Sequence, residues 1–150
     1  MEPAAEQTEV LPADECWRLL RTASVARLAL CVEGQPEIFP VNIQVDHGTV
    51  VFRTSEGTKA RAAIDEAPIA VQADGLDDSG AKAWSVVVKG IARTISTTRE
   101  LLDTIDLPVH PWESGRKDRF VRVTPDGVTG RRFTIAVAPQ AASRRAARDE

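Results

Sequence analysis

The punctuation of this chain constrains it most. Between residues 25 and 134, apolar runs of strand-like period are separated by short segments of Gly, Pro, Asp and Ser, and strand does not alternate with helix along the chain. A doubly wound parallel sheet needs that alternation, whereas short strands joined by Gly/Pro turns lead to a small closed sheet. The expected fold is therefore mainly β: an antiparallel barrel of six or seven strands with short helical attachments. At 150 residues the chain suits one domain. A core of that size buries roughly 70% of the unfolded surface without a metal or disulfide staple.

Residues 25–32 read as the first strand, closed by Gly34-Gln35-Pro36 as a tight turn. Residues 38–45 form the second. Pro40 inside it lacks a ladder donor and is expected at a bulge or on an unpaired edge. Asp46-His47-Gly48 turns the chain into a third strand over 49–54, and 69–73 supply a fourth. Residues 83–95 are a long strand in which Gly90 marks a bend or bulge. Residues 119–123 and 128–134 flank Pro125-Asp126-Gly127, the composition of a hairpin turn.

Three helices are expected. Pro12 suits a first helical position, Asp14 and Glu15 favour the positive end of the helix dipole, and Trp17, Leu19 and Leu20 supply an apolar side. In residues 58–67, Ala60, Ala63, Ile64 and Ala67 share a stripe that Pro68 stops. Thr97 and Glu100 have capping-box spacing ahead of Leu101, Leu102 and Ile105. The domain is expected over residues 11–134, with a flexible lead-in over 1–10 and a mobile tail over 135–150.

The net charge of −3 lacks the basic excess of a duplex-wrapping protein, and no aromatic platform lines the strands, so no nucleic-acid partner is expected. No apolar run approaches 18 residues, so no membrane span is expected. The acidic opening Met1-Glu-Pro-Ala-Ala-Glu6 does not resemble a secretion signal, and a cytoplasmic protein is the expectation. Cys16 and Cys31 lack metal-ligand spacing and are expected as buried reduced thiols. His47 falls in a turn and His110 in a loop before Pro111-Trp112; neither stands in a nucleophile or metal pattern. Trp17 is expected in the core, Trp84 in the core or on a pocket rim, and Trp112 at an interface or ligand edge.

One segment can carry chemistry. In Val51-Phe-Arg-Thr-Ser-Glu-Gly-Thr-Lys-Ala60 a strand ends in Arg53-Thr54, and a Gly-bearing turn leads into a helix near Thr58-Lys59. Free N–H groups at a helix start and the dipole there favour an anion. A guanidinium, an ammonium and the hydroxyls of Thr54, Ser55 and Thr58 make the locus fit for a phosphate, although an ordinary strand-to-helix turn with two solvated cations has the same composition.

The ordered set Asp14-Glu-Cys-Trp-Arg-Leu-Leu20, Val25-Ala-Arg-Leu-Ala29, Pro36-Glu-Ile-Phe-Pro-Val-Asn42, Phe52-Arg-Thr-Ser-Glu-Gly-Thr-Lys59, Trp84-Ser-Val-Val-Val-Lys-Gly90, Pro111-Trp112 and Val128-Thr-Gly-Arg-Arg132 resembles the pyridoxamine 5'-phosphate oxidase-like flavoproteins with the FMN-binding split barrel. It is most similar to the small actinobacterial branch that includes nitroimidazole-resistance reductases. The resemblance implies that Arg53, Thr54, Thr58 and Lys59 hold the FMN phosphate. The strand through Val41 and Asn42 would lie along the flavin ring by its backbone, and Ser85 would face the ring or ribityl chain. Trp112 and one of Arg131 and Arg132 (Arg132 is the choice) would come from a second subunit of a homodimer. The lack of an acid–base set fits a reaction carried by the flavin itself, passing hydride or electrons between NAD(P)H and a small organic acceptor, and no catalytic side chain is assigned. The alternatives are the deazaflavin F420, whose anionic tail would engage Arg61 and Lys89, and a non-catalytic flavin- or heme-binding module. No residues fixing pyridoxal phosphate are recognisable, so that substrate is not expected.

Overall fold

A computed structural model describes residues 8–54, 64–95 and 119–135. The elements are β1 (Glu9–Val10), α1 (Ala13–Thr22), β2 (Val25–Val32), β3 (Gln35–Asp46), β4 (Thr49–Thr54), β5 (Pro68–Leu76), β6 (Lys82–Thr94) and β7 (Arg119–Thr134). Every pairing is antiparallel. The sheet runs β4-β3-β2-β5-β6, and β7 pairs with both β6 and β4, so the ring closes; β1 is added on β7. This is a mainly β, partly closed split barrel. Among the described residues no helix is long and apolar enough to cross a membrane. The expected helices over 58–67 and from Thr97 onward lie mostly or wholly outside the described residues, as do His110, Pro111 and Trp112.

Period-two burial builds the interior. Ala26, Leu28 and Leu30 of β2, Val71 and Ala73 of β5, and Trp84, Val86 and Val88 of β6 point inward, with Val50, Phe52, Val121 and Val123 completing the core. Each fully buried large side chain contributes on the order of 1.5–3 kcal/mol. The turns behave as their residues require. Glu33-Gly34 and His47-Gly48 have φ of 52° and 79°, and 49° and 73°, the left-handed pair that a two-residue hairpin needs. The first turn is thus Glu33-Gly34, and β3 begins at Gln35, earlier than the expected residue 38, with Pro36 opposite Cys31. Pro40 sits where it was expected: β4 pairs with β3 only over Ile43–Asp46, so among the described residues Pro40 lies on a stretch bonded to β2 alone.

The expected hairpin at Pro125-Asp126-Gly127 does not form. β7 is continuous, and both of its halves pair with β6, Gly90 opposite Pro125 and Lys89 opposite Gly127, so Asp126 is the extra residue of a bulge. The physical reason is at Gly90, where a Cβ would lie 2.0 Å from the Thr124 carbonyl oxygen and 2.8 Å from the Pro125 Cα. Without that atom β7 crosses closely over β6 and stays paired, so the turn-forming triplet is absorbed as a bend. The bulge expected at Gly90 is therefore present, with its additional residue on the facing strand.

β4 has six residues and cannot bridge β3 to β7 along their whole length, which leaves an opening in the wall. α1 fills it. Pro12 caps the helix, one position before the expected site, and Cys16, Leu19 and Leu20 are buried against β7, β3 and β6. Arg132 holds this arrangement, its guanidinium 3.4 Å from Glu9 Oε2 and 3.5 Å from Glu15 Oε1. Trp17 packs at the edge of the core and Trp84 within it. Cys16 is buried as expected, and burial pushes its thiol pKa up. Cys31 is a correction: it faces outward because it shares parity with Arg27 and Ala29 on β2.

At the β3–β4 turn, Arg122 of β7 donates to Asp46 Oδ2 at 2.8 Å and to Thr49 Oγ1 at 2.7 Å. The Arg122 hydrogen bond holds the Asp46 carboxyl below its ordinary value, against the opposing effect of burial, and the His47 ring adds to the lowering.

Three substitutions test this arrangement. Gly90→Ala should cost at least about 2 kcal/mol in chemical unfolding, since backbone and not a side chain blocks the new methyl group. Gly127→Ala, where nothing lies within 4 Å of a new Cβ, should be near neutral. Asp46→Asn should lower stability by about 1–2 kcal/mol at pH 7. A carboxyl whose folded pKa is depressed stabilises the fold above its unfolded value of 3.8, and the benefit is lost as pH falls through the folded pKa. The gap between Asp46→Asn and the parent should therefore close on acidification, as read by thermal melts across pH.

Candidate functional site

The outer face of the barrel carries the polar chemistry. Cross-strand register sets side chains of one parity into rows. One row runs Pro40, Arg27, Gln72, Val87 and Thr129, and the adjoining one pairs Asn42 with Val25 and, farther round the barrel, Asp74 with Ser85 and Ser85 with Arg131. Asn42, Arg53 and Ser85 thus share the outside of the wall. Val41 has the opposite parity and its side chain packs against the core, leaving its backbone as the part that can line an external site.

The β3–β4 ladder ends at Ile43 opposite Phe52, so Asn42 and Arg53 flank the point where the two strands part. Arg53 and Thr54 are both half-buried, and Phe120, the cross-strand partner of Arg53, lies beneath its guanidinium at 5.0 Å from the ring centroid. That cation–π contact fixes the cation at the strand end, which the sequence did not disclose because the pairing of β4 with β7 was not readable. Thr58, Lys59 and Arg61 lie outside the described residues, as does Trp112.

Ser85 belongs to a network. Gln72 Nε2 donates to Asp74 Oδ2 at 3.0 Å and to Ser85 Oγ at 3.1 Å, and Arg27 Nη1 stands 3.4 Å from the same Asp74 oxygen. Asp74 can only accept, so the amide nitrogen must face it. The amide oxygen is then turned inward, buried with no donor among the described residues, at a cost of roughly 1–3 kcal/mol. Sequence reading missed Arg27, Gln72 and Asp74 as a group. Their alternation on β2 and β5 marks an exposed face, but the β2–β5 pairing that unites them carries no local signal.

Of the two candidate arginines, Arg132 is engaged by Glu9 and Glu15 in its own chain, whereas Arg131 is the cross-strand partner of Ser85. Farther along the face, Ala29, Cys31, Pro36, Ile38, Ala70 and Lys89 line an open apolar cleft of about 520 Å³. Ile38 is 69% exposed and Val25 44% exposed. His47 is exposed and bonded to Asp46, so it takes no part in this face. Among the described residues no group of His, Cys, Asp and Glu could hold a metal ion.

Comparison with known proteins agrees with this architecture. The sequence profile described as pyridoxamine 5'-phosphate oxidase matches residues 12–132. The Mycobacterium tuberculosis protein Rv0080 is 33% identical over 135 residues, 87% of this chain and 88% of that protein. The solved structure of an FAD binding protein from Mycobacterium smegmatis superposes with a TM-score of 0.74 at 37% identity, covering 84% of this chain and 98% of that one. A Corynebacterium glutamicum structure, provisionally named a pyridoxamine 5'-phosphate oxidase, gives 0.75 at 31% identity over 87% and 96%.

Proposed function

This chain belongs to the pyridoxamine 5'-phosphate oxidase family, and we propose that it is a flavin-binding oxidoreductase that passes hydride or electrons between NAD(P)H and a small organic acceptor. The observation that carries the reading is the placement of Arg53 on the outer wall where β3 and β4 part, in line with Asn42, with Thr54 next to it as the last residue of β4. A fixed guanidinium and a hydroxyl at a strand end suit a phosphate ester. The sequence led to FMN; the 37% identical M. smegmatis protein binds FAD, which extends the reading to either nucleotide.

In this reading Arg53 and Thr54, with Thr58 and Lys59, hold the phosphate. The backbone at Val41 and Asn42 orients the ring, and Ser85 donates a hydrogen bond from across the face. The chemistry supplied by a bound flavin is hydride and electron transfer, and the chain contributes binding, orientation and exclusion of water. The arginine offered to the site by the second subunit is Arg132 or Arg131; within its own chain Arg131 shares the register of Ser85 and Arg132 faces Glu9 and Glu15. F420 remains the second reading, favoured by Lys89 on the rim of the apolar cleft.

The same reading includes a homodimer with Trp112 lending to the partner's site. Its physical support is the apolar character of the outer face, where Val25, Ala29, Ile38 and Ala70 meet solvent beside Pro36 and Pro40.

The purified protein should carry a yellow chromophore that heat releases, and chromatography of the extract should identify FMN or FAD. Arg53→Ala should weaken flavin binding by roughly 10–100-fold in a fluorescence titration. A colourless protein that binds F420 and neither flavin would move the reading to the deazaflavin. Sedimentation should show two chains per particle, and Ile38→Glu should give a single folded chain.

A further inference from the structure

We infer that Gln72, held by Asp74 and Arg27, is a positioning residue that directs the proton of the Ser85 hydroxyl toward the bound flavin. The inference rests on the flavin reading above and assigns residues to it that lie outside the phosphate locus.

A serine hydroxyl is ambidextrous: it rotates to donate or to accept as its surroundings demand. At Ser85 that freedom is removed from one side. Gln72 Nε2 points a proton at Ser85 Oγ from 3.1 Å, so the hydroxyl's own proton must be directed elsewhere. Among the described residues no acceptor takes it. The amide cannot rotate to reverse the bond, because its nitrogen is also held by Asp74 Oδ2 at 3.0 Å, and turning it would set the amide oxygen against a carboxylate. Asp74 is in turn held by Arg27 at 3.4 Å, across from Gln72 in the β2–β5 ladder. The buried amide oxygen shows what this orientation sacrifices: Gln72 keeps its donor toward Ser85 while its acceptor goes without a partner. The chain of donors runs Arg27 to Asp74, then Gln72 to Asp74 and Ser85, and it ends on an outward-directed O–H. Such a group favours an acceptor atom, a ring carbonyl or ring nitrogen or a ribityl oxygen, because its one proton is directed there while Gln72 occupies one of its two acceptor sites.

The test is a double-mutant cycle on flavin affinity, with the visible absorption of the bound flavin as second readout. Ser85→Ala should weaken binding of the flavin that co-purifies by about five- to tenfold, the worth of one hydrogen bond to a neutral donor. Gln72→Met keeps the length of the side chain and frees the hydroxyl to rotate; it should cost about two- to fivefold alone and nothing further in the Ser85→Ala background. The absorption band of the flavin bound to Gln72→Met should move in the direction it moves in Ser85→Ala. Asp74→Asn, at an exposed position, serves as the second entry point should Gln72→Met fail to fold, and its loss should likewise vanish when Ser85 is Ala. Equal losses for Gln72→Met, or for Asp74→Asn, with and without Ser85 would overturn the inference and leave flavin binding standing. A parent protein that binds neither FMN nor FAD overturns both.

Discussion

The barrel depends on one close approach of backbone to backbone. At Gly90 the carbonyl of Thr124 occupies the space a side chain would claim. This contact lets β7 bend by one residue and stay on β6. The consequence propagates around the ring. Because β7 continues past the bend, its first residues reach β4 while its later ones carry β1 and lie beside α1. The glycine thus keeps both halves of β7 on β6.

Closure is incomplete, and the incompleteness is useful. A six-residue β4 between a twelve-residue β3 and a sixteen-residue β7 cannot seal the wall. The shortfall is met on the inner side by the apolar face of α1, and on the outer side it leaves the divergence flanked by Asn42 and Arg53. Core and candidate site are two faces of the same mismatch in strand length. The parity rule then divides neighbours sharply: Val41 serves the core and Asn42 the outside, Trp84 the core and Ser85 the outside, and Arg132 the anchoring of α1 while Arg131 follows Ser85.

Much of this was legible in the residues. β2 and β4 were readable to their end residues because period-two alternation is local and their hairpin turns contain residues that accept positive φ. The strand-end position of Arg53-Thr54 followed from the same evidence. What failed was nonlocal. Pro125-Asp126-Gly127 has the composition of a turn, and only the partner strand decides whether it closes a hairpin or bends a ladder. Gly34-Gln35-Pro36 was read one residue late because Pro36 discourages a strand assignment, although it is tolerated opposite Cys31. Cys31 was placed inside on the general habits of cysteine, when its own parity with Arg27 puts it outside. The Arg27–Asp74–Gln72 set needed the β2–β5 pairing, which leaves no trace in the sequence.

The stretch of β3 bonded to β2 alone is a sheet margin, a place where a foreign strand can add and seed fibrous assembly. Its ladder with β2 runs unbroken through Pro36 and Pro40, so the donors these residues lack are missing from the open side. An incoming strand would meet gaps in the row of N–H groups it must match. The two prolines therefore protect the barrel from templating its own aggregation at the margin that, among the described residues, the short β4 leaves unpaired.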